Sequence, residues 1–167
     1  GRLATDRPHA FKFHGYYNLK SKAGATTFGP AFYAFNGTPL TTEVQMVSSV
    51  PIFVNGRGDR GRTPFYSQTD FLVAHEFKPS SRHERYRVKL ELNIRNLFNQ
   101  STARSYSSGY VHANDGQVNF DNEVDFFKGF DYKKMMADQK LRVDPRFNQA
   151  SAFQDPRELL FGIQFYF

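Results

Sequence analysis

The 167-residue chain contains no cysteine and no tryptophan. Without thiols it can build neither a disulfide framework nor a thiolate metal site. No stretch approaches the roughly 20 apolar residues of a membrane-spanning helix, which excludes a helical membrane protein. Hydrophobic residues make up only 40% and the mean hydropathy is −0.59. Neither value counts against a membrane barrel, whose strands are short and alternate apolar with polar side chains. The opening Gly1-Arg2-Leu3-Ala4-Thr5 includes no apolar signal segment, so the expectation is a mature piece of a longer protein or an intracellular chain.

Catalytic signatures are missing too. There is no G-x-S-x-G, paired-carboxylate or phosphate-loop arrangement, so no enzymatic activity is expected. His9, His14, His75, His83 and His112 show no ligand spacing. The net charge of +6 arises from 22 basic and 16 acidic residues, spread along the chain apart from a cluster at Arg57 to Arg62. No aromatic platform or helix motif accompanies that cluster, so no nucleic-acid partner is expected. Arg57-Gly58-Asp59 spells an adhesion tripeptide, but its Gly/Arg-rich setting favours a solvated loop. Asn114, Asp115, Asn119, Asp121, Asn122, Glu123 and Asp125 form an oxygen-rich stretch. Asp115, Asp121 and Asp125 could contribute to Ca²⁺ binding. The stretch lacks EF-hand spacing, and a polar loop with no cofactor is the expected role.

What the chain does have is aromatic alternation. Aromatics make up 17%, with 19 Phe and 9 Tyr. Leu159, Phe161, Ile163, Phe165 and Phe167 fall on one face of a terminal strand; Leu160, Gly162, Gln164 and Tyr166 fall on the other. Phe11, Phe13, Gly15, Tyr17 and Leu19 alternate with Lys12, His14, Tyr16 and Asn18. Phe71, Val73, His75 and Phe77 alternate with Asp70, Leu72, Ala74 and Glu76. From Arg85 to Arg95, Tyr86, Val88, Leu90, Leu92 and Ile94 oppose a wholly charged or amide face, which must meet water or a wet lumen. Residues 27–36 form a less regular strand, with Pro30 demoting its start to an edge or bend.

The expected fold is therefore all-β: an antiparallel meander of about five strands, near 10–19, 27–36, 69–77, 85–96 and 158–167. It forms one partial-barrel domain over residues 1–167. Connections alternate in length. Lys20 to Thr26 and Lys78 to Glu84 are short and polar, whereas 37–68 and 99–157 are long, with a candidate short helix within 124–140. Large up-and-down transmembrane barrels share this asymmetry.

Several segments resemble one family. Asn93-Ile94-Arg95-Asn96-Leu97-Phe98-Asn99 is similar to the penultimate-strand signature of TonB-dependent outer-membrane receptors, through Asn93, Asn96, Leu97, Phe98 and Asn99. Pro156-Arg157-Glu158-Leu159-Leu160-Phe161-Gly162 onward resembles their closing strand. Asp6-Arg7-Pro8-His9 and Gly58-Asp59-Arg60-Gly61-Arg62-Thr63-Pro64 are similar to the Oar-like branch. Gly37-Thr38-Pro39-Leu40 resembles a turn of the same branch, with Asn36 where Ser is usual.

The resemblance implies a carboxy-terminal barrel segment from a bacterial outer membrane, without the amino-terminal plug, whose parent imports a scarce nutrient. It also implies that Leu159, Phe161, Ile163, Phe165 and Phe167 form the barrel-closing and assembly-signal strand. Five strands cannot close a barrel, since small ones use about eight. The edges must then meet other copies of the chain or the missing part of a barrel, and the expectation is edge-to-edge association of copies into a closed barrel, tube or fibre. Lipid is the partner of the outer face in the parent receptor, and a released fragment would be extracellular. The alternative is a monomeric, soluble all-β binding module.

Overall fold

The computed structural model describes residues 3–46, 50–77 and 86–167. In chain order the elements are β1 (Ala10–His14), β2 (Tyr17–Ser21), β3 (Gly24–Phe35), β4 (Val44–Met46), β5 (Val50–Ile52), β6 (Tyr66–Phe77), β7 (Arg87–Arg95) and β8 (Ala103–Tyr106). A 3-10 helix (Glu123–Lys128), α1 (Tyr132–Asp138), β9 (Ala150–Phe153) and β10 (Glu158–Tyr166) complete the chain. The fold is all-β and antiparallel, with α1 inside the last long connection, in line with expectation. The chain divides into two compact units. The sheet unit comprises Pro8–Asn36, Phe65–Thr102 and Gln154–Phe167; the loop unit comprises Gly1–Arg7, Gly37–Pro64 and Ala103–Phe153.

In the sheet unit the strand order is β1-β3-β6-β7-β10, with β2 also on β3. Because β1 and β2 occupy one edge in succession, the sheet has five antiparallel tracks. The expected continuous strand 10–19 is broken at Gly15 and Tyr16, and Pro30 supplies the reason. The Pro30 carbonyl accepts from Gly15 N–H at 2.9 Å. In an antiparallel ladder a residue's N–H and C=O point to the same neighbour, so the N–H that proline lacks is missing on this edge side. On its other side Pro30 stays in register with Phe71 of β6. Proline thus interrupts the edge strand and spares the interior ladder.

β6 starts three residues before the expected 69, because Phe35 pairs with Tyr66 and the polar run Tyr66-Ser67-Gln68 carries no apolar alternation to announce it. The short connection at 78–84 and the strand's first residue Arg85 lie outside the described residues. At the same end of the sheet, β2 and β3 are joined by the two residues Lys22 and Ala23. Gly24 closes this hairpin at φ 143, and a Cβ there would sit 1.9 Å from the Glu76 carbonyl oxygen. Only glycine tolerates both the dihedral and the approach.

The long connections at 37–68 and 99–157 supply most of the loop unit. It has its own core of Val44, Met46, Val111, Val118 and Met136, flanked by partly buried residues including Ile52, Tyr110, Phe120, Phe126 and Phe130. β4 pairs with β5 and β8 with β9. Strands of three or four residues offer too few alternations to register as a pattern. The helices begin on side-chain caps: Asn122 accepts from Val124 N–H, and Asp131 accepts from the N–H groups of Lys133 and Lys134.

Gly24→Ala is expected to destabilise the chain by more than about 1 kcal/mol, seen as a lower midpoint in urea unfolding in detergent micelles. Gly116→Ala, at φ 86 with no atom near its Cβ position, meets strain without a clash and should cost less.

Candidate functional site

The register aligns the side chains of all five tracks by face. Leu159, Phe161, Ile163 and Phe165 of β10 lie opposite Ile94, Leu92, Leu90 and Val88 of β7. The same β7 residues oppose Phe71, Val73, His75 and Phe77 of β6. Phe28 and Phe32 of β3 carry the face onward to Tyr17 and Phe13 at the edge, with Phe11 and Leu19 flanking. One continuous apolar face results.

Among the described residues of the sheet unit nothing covers that face. Phe11, Phe13, Tyr17, Leu19, Phe77, Leu90, Leu159, Phe161, Ile163 and Phe165 are all exposed, and the closing-strand set including Phe167 is between 54% and 87% exposed. Half-exposed side chains of this size each forgo about 1 kcal/mol of transfer free energy, so the face forgoes on the order of 10 kcal/mol in water. That rivals the whole stability of a typical domain. The arrangement demands an apolar environment or an apolar partner.

The opposite face is polar and internally paired. Arg87 bonds Glu76 at 3.2 Å, Lys89 bonds Glu91 at 2.9 Å, and Arg95 bonds Glu158 at 3.0 Å. Gln68 Nε2 donates to Asp70 Oδ1, and the Arg87 guanidinium lies 5.0 Å from the Tyr166 ring centre. Such half-solvated pairs contribute little stability individually, but they require water on that side. The two histidines in the sheet divide accordingly. His14 shares the polar face and meets Tyr33 edge-on, whereas His75 shares the apolar face and bonds Thr26. His83 lies outside the described residues.

The motif residues of the penultimate strand act as a fastener. Asn96 is 2% exposed and sits at φ 49. Its Nδ2 donates to the carbonyls of Gln100 and Asp155, each at 2.8 Å, and its Oδ1 accepts from Gln100 N–H at 2.9 Å. Its own N–H donates to Asp70 Oδ1 at 2.9 Å. One side chain therefore ties the end of β7 to the entry of β10, while its backbone ties to β6. Leu97 N–H donates to the Thr69 carbonyl, and Asn99, at φ 53, accepts Arg157 N–H on its Oδ1. Asn93 stands on the polar face, in register with Leu160 and Leu72. Phe98 projects into solvent. Asp70, Gln100, Asp155 and the buried Gln154, which donates to the Ser67 carbonyl, complete the fastener. Scattered along the chain, they left no motif to find them by.

Asp6, the 37–40 turn and the 58–63 segment meet one another inside the loop unit. The Arg62 guanidinium forms an ion pair with Asp6 and donates to the Asp6 and Gly37 carbonyls. Thr63 N–H donates to the Thr38 carbonyl and Leu40 N–H to the Gly61 carbonyl. A Cβ on Gly37 would lie 1.7 Å from the Thr63 carbonyl oxygen, which explains the glycine. Arg57-Gly58-Asp59 is consumed by this bracket. The Asp59 carboxylate accepts from Thr42 N–H, Thr42 Oγ1 and Asn55 Nδ2, and Arg57 lies over the Phe53 ring. Partial burial works to raise the Asp59 carboxyl, and those hydrogen bonds overcome it and hold it below its ordinary value.

The oxygen-rich stretch disperses. Asp115 is clasped by Arg142 through Nε, Nη2 and the backbone N–H, and Asp125 pairs with Lys128 at 2.7 Å. Asp121 stands apart from both pairs. Among the described residues no group of three or more acidic or histidine side chains could hold a metal ion. The Arg142 hydrogen bonds hold the Asp115 carboxyl at about 2, and Arg146 holds that of Asp144 well below the usual range. Compared with known proteins, the chain matches no family model, no curated protein and no solved structure.

Asn96→Ala should cost roughly 2–4 kcal/mol, because it orphans buried backbone groups. Asn96→Gly relieves only the positive φ and should recover about 1 kcal/mol of that; urea unfolding of both variants tests the split. Acid should loosen the loop unit selectively. Its depressed carboxyls add stability above about pH 4, the ordinary carboxyl range, and lose it as pH falls towards the folded value of about 2. Near-UV melting temperatures should fall across that window, and Asp115→Asn should flatten the fall.

Proposed function

We propose that this chain is the carboxy-terminal barrel portion of a bacterial outer-membrane receptor of the TonB-dependent kind, and that its sheet is one sector of a large up-and-down transmembrane barrel. The observation that carries this reading is the uncovered apolar face running across all five tracks, backed by a polar face of ion pairs. Lipid satisfies the first and a wet lumen the second. β3 and β6 have 12 residues, and β7 and β10 have 9, close to the 9–11 a tilted strand needs to cross the hydrocarbon layer. The asymmetry between the two-residue β2–β3 hairpin and the long connections 37–68 and 99–157 supports the same reading.

Strand direction bears on what completes the barrel. Every neighbouring pair in the sheet is antiparallel, so with five tracks the two edges run the same way. A second copy in the same membrane orientation would have to meet β10 in parallel, the weaker pairing. An odd number of further strands from the rest of a receptor meets both edges antiparallel. We therefore favour the missing part of the barrel over a tube of copies. β10 would also be the strand addressed by the outer-membrane assembly machinery, through its open N–H and C=O row. The sector alone lacks the means to transport.

The absence of native tryptophan provides the test. Phe161→Trp and Phe165→Trp, reconstituted in brominated-lipid vesicles, should be strongly quenched, and Leu160→Trp on the polar face should be quenched far less. Equal quenching at the two faces, or a monodisperse monomer in detergent-free buffer, would favour the soluble binding module.

A further inference from the structure

The two edges of the sheet are built differently. The β1/β2 edge carries devices that keep an edge from pairing: a lysine in each short strand, Lys12 and Lys20, and the break at Gly15 and Tyr16. β10 carries none of these. It runs unbroken for nine residues with its only charge, Glu158, at the first position. Among the described residues β7 is its one strand partner. Its outer row of N–H and C=O groups is therefore a template for another strand.

Direction decides which strand fits. Copies joined head to tail would set β10 beside β1 and β2 in parallel, because the outer tracks of a five-track antiparallel sheet run the same way, and parallel pairing is the weaker. A two-fold axis normal to the sheet instead sets β10 antiparallel to the β10 of a second copy, and it keeps the apolar faces of both copies on one side. Centred on Gly162, the contact pairs all nine residues of the strand. Leu159 then meets Phe165 and Phe161 meets Ile163, packing aromatic against aliphatic side chains across the contact. Glu158 meets Tyr166, so no like charges oppose. Gly162 meets its own copy with no side chain to crowd the axis.

We propose that the chain forms a two-fold dimer through β10, joining two sheets into one of twice the width with a single apolar face. The contact is isologous and closes at two copies, and the blunted β1/β2 edges end the sheet on either side. The axis inverts one copy relative to the other, so the dimer belongs to the chain outside a bilayer of fixed sidedness. It depends on the open edge of β10 and stands or falls independently of the barrel assignment.

Asn18, Thr27, Ala74, Glu91 and Gly162 share one row across the five tracks, and the chain has no native cysteine, so the geometry can be measured directly. In detergent micelles, light scattering should give the mass of two chains. A nitroxide on Asn18→Cys should report one separation of roughly 40 Å across nine strand spacings, against about 24 Å across five for head-to-tail copies. Gly162→Cys should be linked into dimers by a short bismaleimide. Its Cβ meets only the Glu91 Cβ, at 3.7 Å, an ordinary contact. The Asn18 measurement leaves Gly162 in place and decides the matter if Gly162→Cys does not fold. A monomeric mass, an Asn18 separation near the head-to-tail value or spread over several values, or no linkage in folded Gly162→Cys would each overturn the proposal.

Discussion

Parity of register is the constraint on which the rest of the sheet depends. With a side-chain period of two, the apolar residues of five tracks share a face only if every pair keeps its alignment; a one-residue slip in any strand would turn its apolar set into the polar side. Three local devices hold that alignment. Gly24 permits a hairpin so tight that a side chain would strike the neighbouring strand. Pro30 confines its missing donor to the edge. Asn96 locks the exit of β7 to the entry of β10 and to β6, where no continuous ladder could.

The two units solve the problem of apolar side chains in opposite ways. The loop unit buries its few aliphatics, Val44, Met46, Val111, Val118 and Met136, inward, and arranges aromatic residues around them. The sheet unit buries almost nothing and turns its large side chains outward on one face. Its deeply buried residues are small or polar: Ala34, Ala74, Asn96 and Gln154. A soluble sandwich would place a second layer over Phe161 and Leu92. Here, among the described residues, no second layer covers that face.

Legibility in the sequence followed the length of each pattern. β7 and β10, with nine residues of clean alternation, could be placed to within a residue or two. β6 was half visible, because Tyr66-Ser67-Gln68 pairs by backbone and carries no apolar rhythm. β4, β5, β8 and β9 were invisible, being too short for periodicity to rise above chance. The motif around Asn96 was conspicuous as letters, yet its partners Asp70, Gln100 and Asp155 could not be named until the chain brought them together. The same holds for Arg57-Gly58-Asp59 and for Asp115, whose chemistry is decided chiefly by Thr42, 17 positions from Asp59, and Arg142, 27 positions from Asp115.

The amino-acid sequence by itself determined the class of fold and the apolar and polar faces of each long strand. Alternation along a strand is a local property, and side-chain direction follows from it directly. Tertiary structure alone decided that the long connections condense around a core of their own and that Asn96 gathers Asp70, Gln100 and Asp155 around itself. Those features depend on contacts between residues far apart in the chain, and no local period encodes which distant partners will meet.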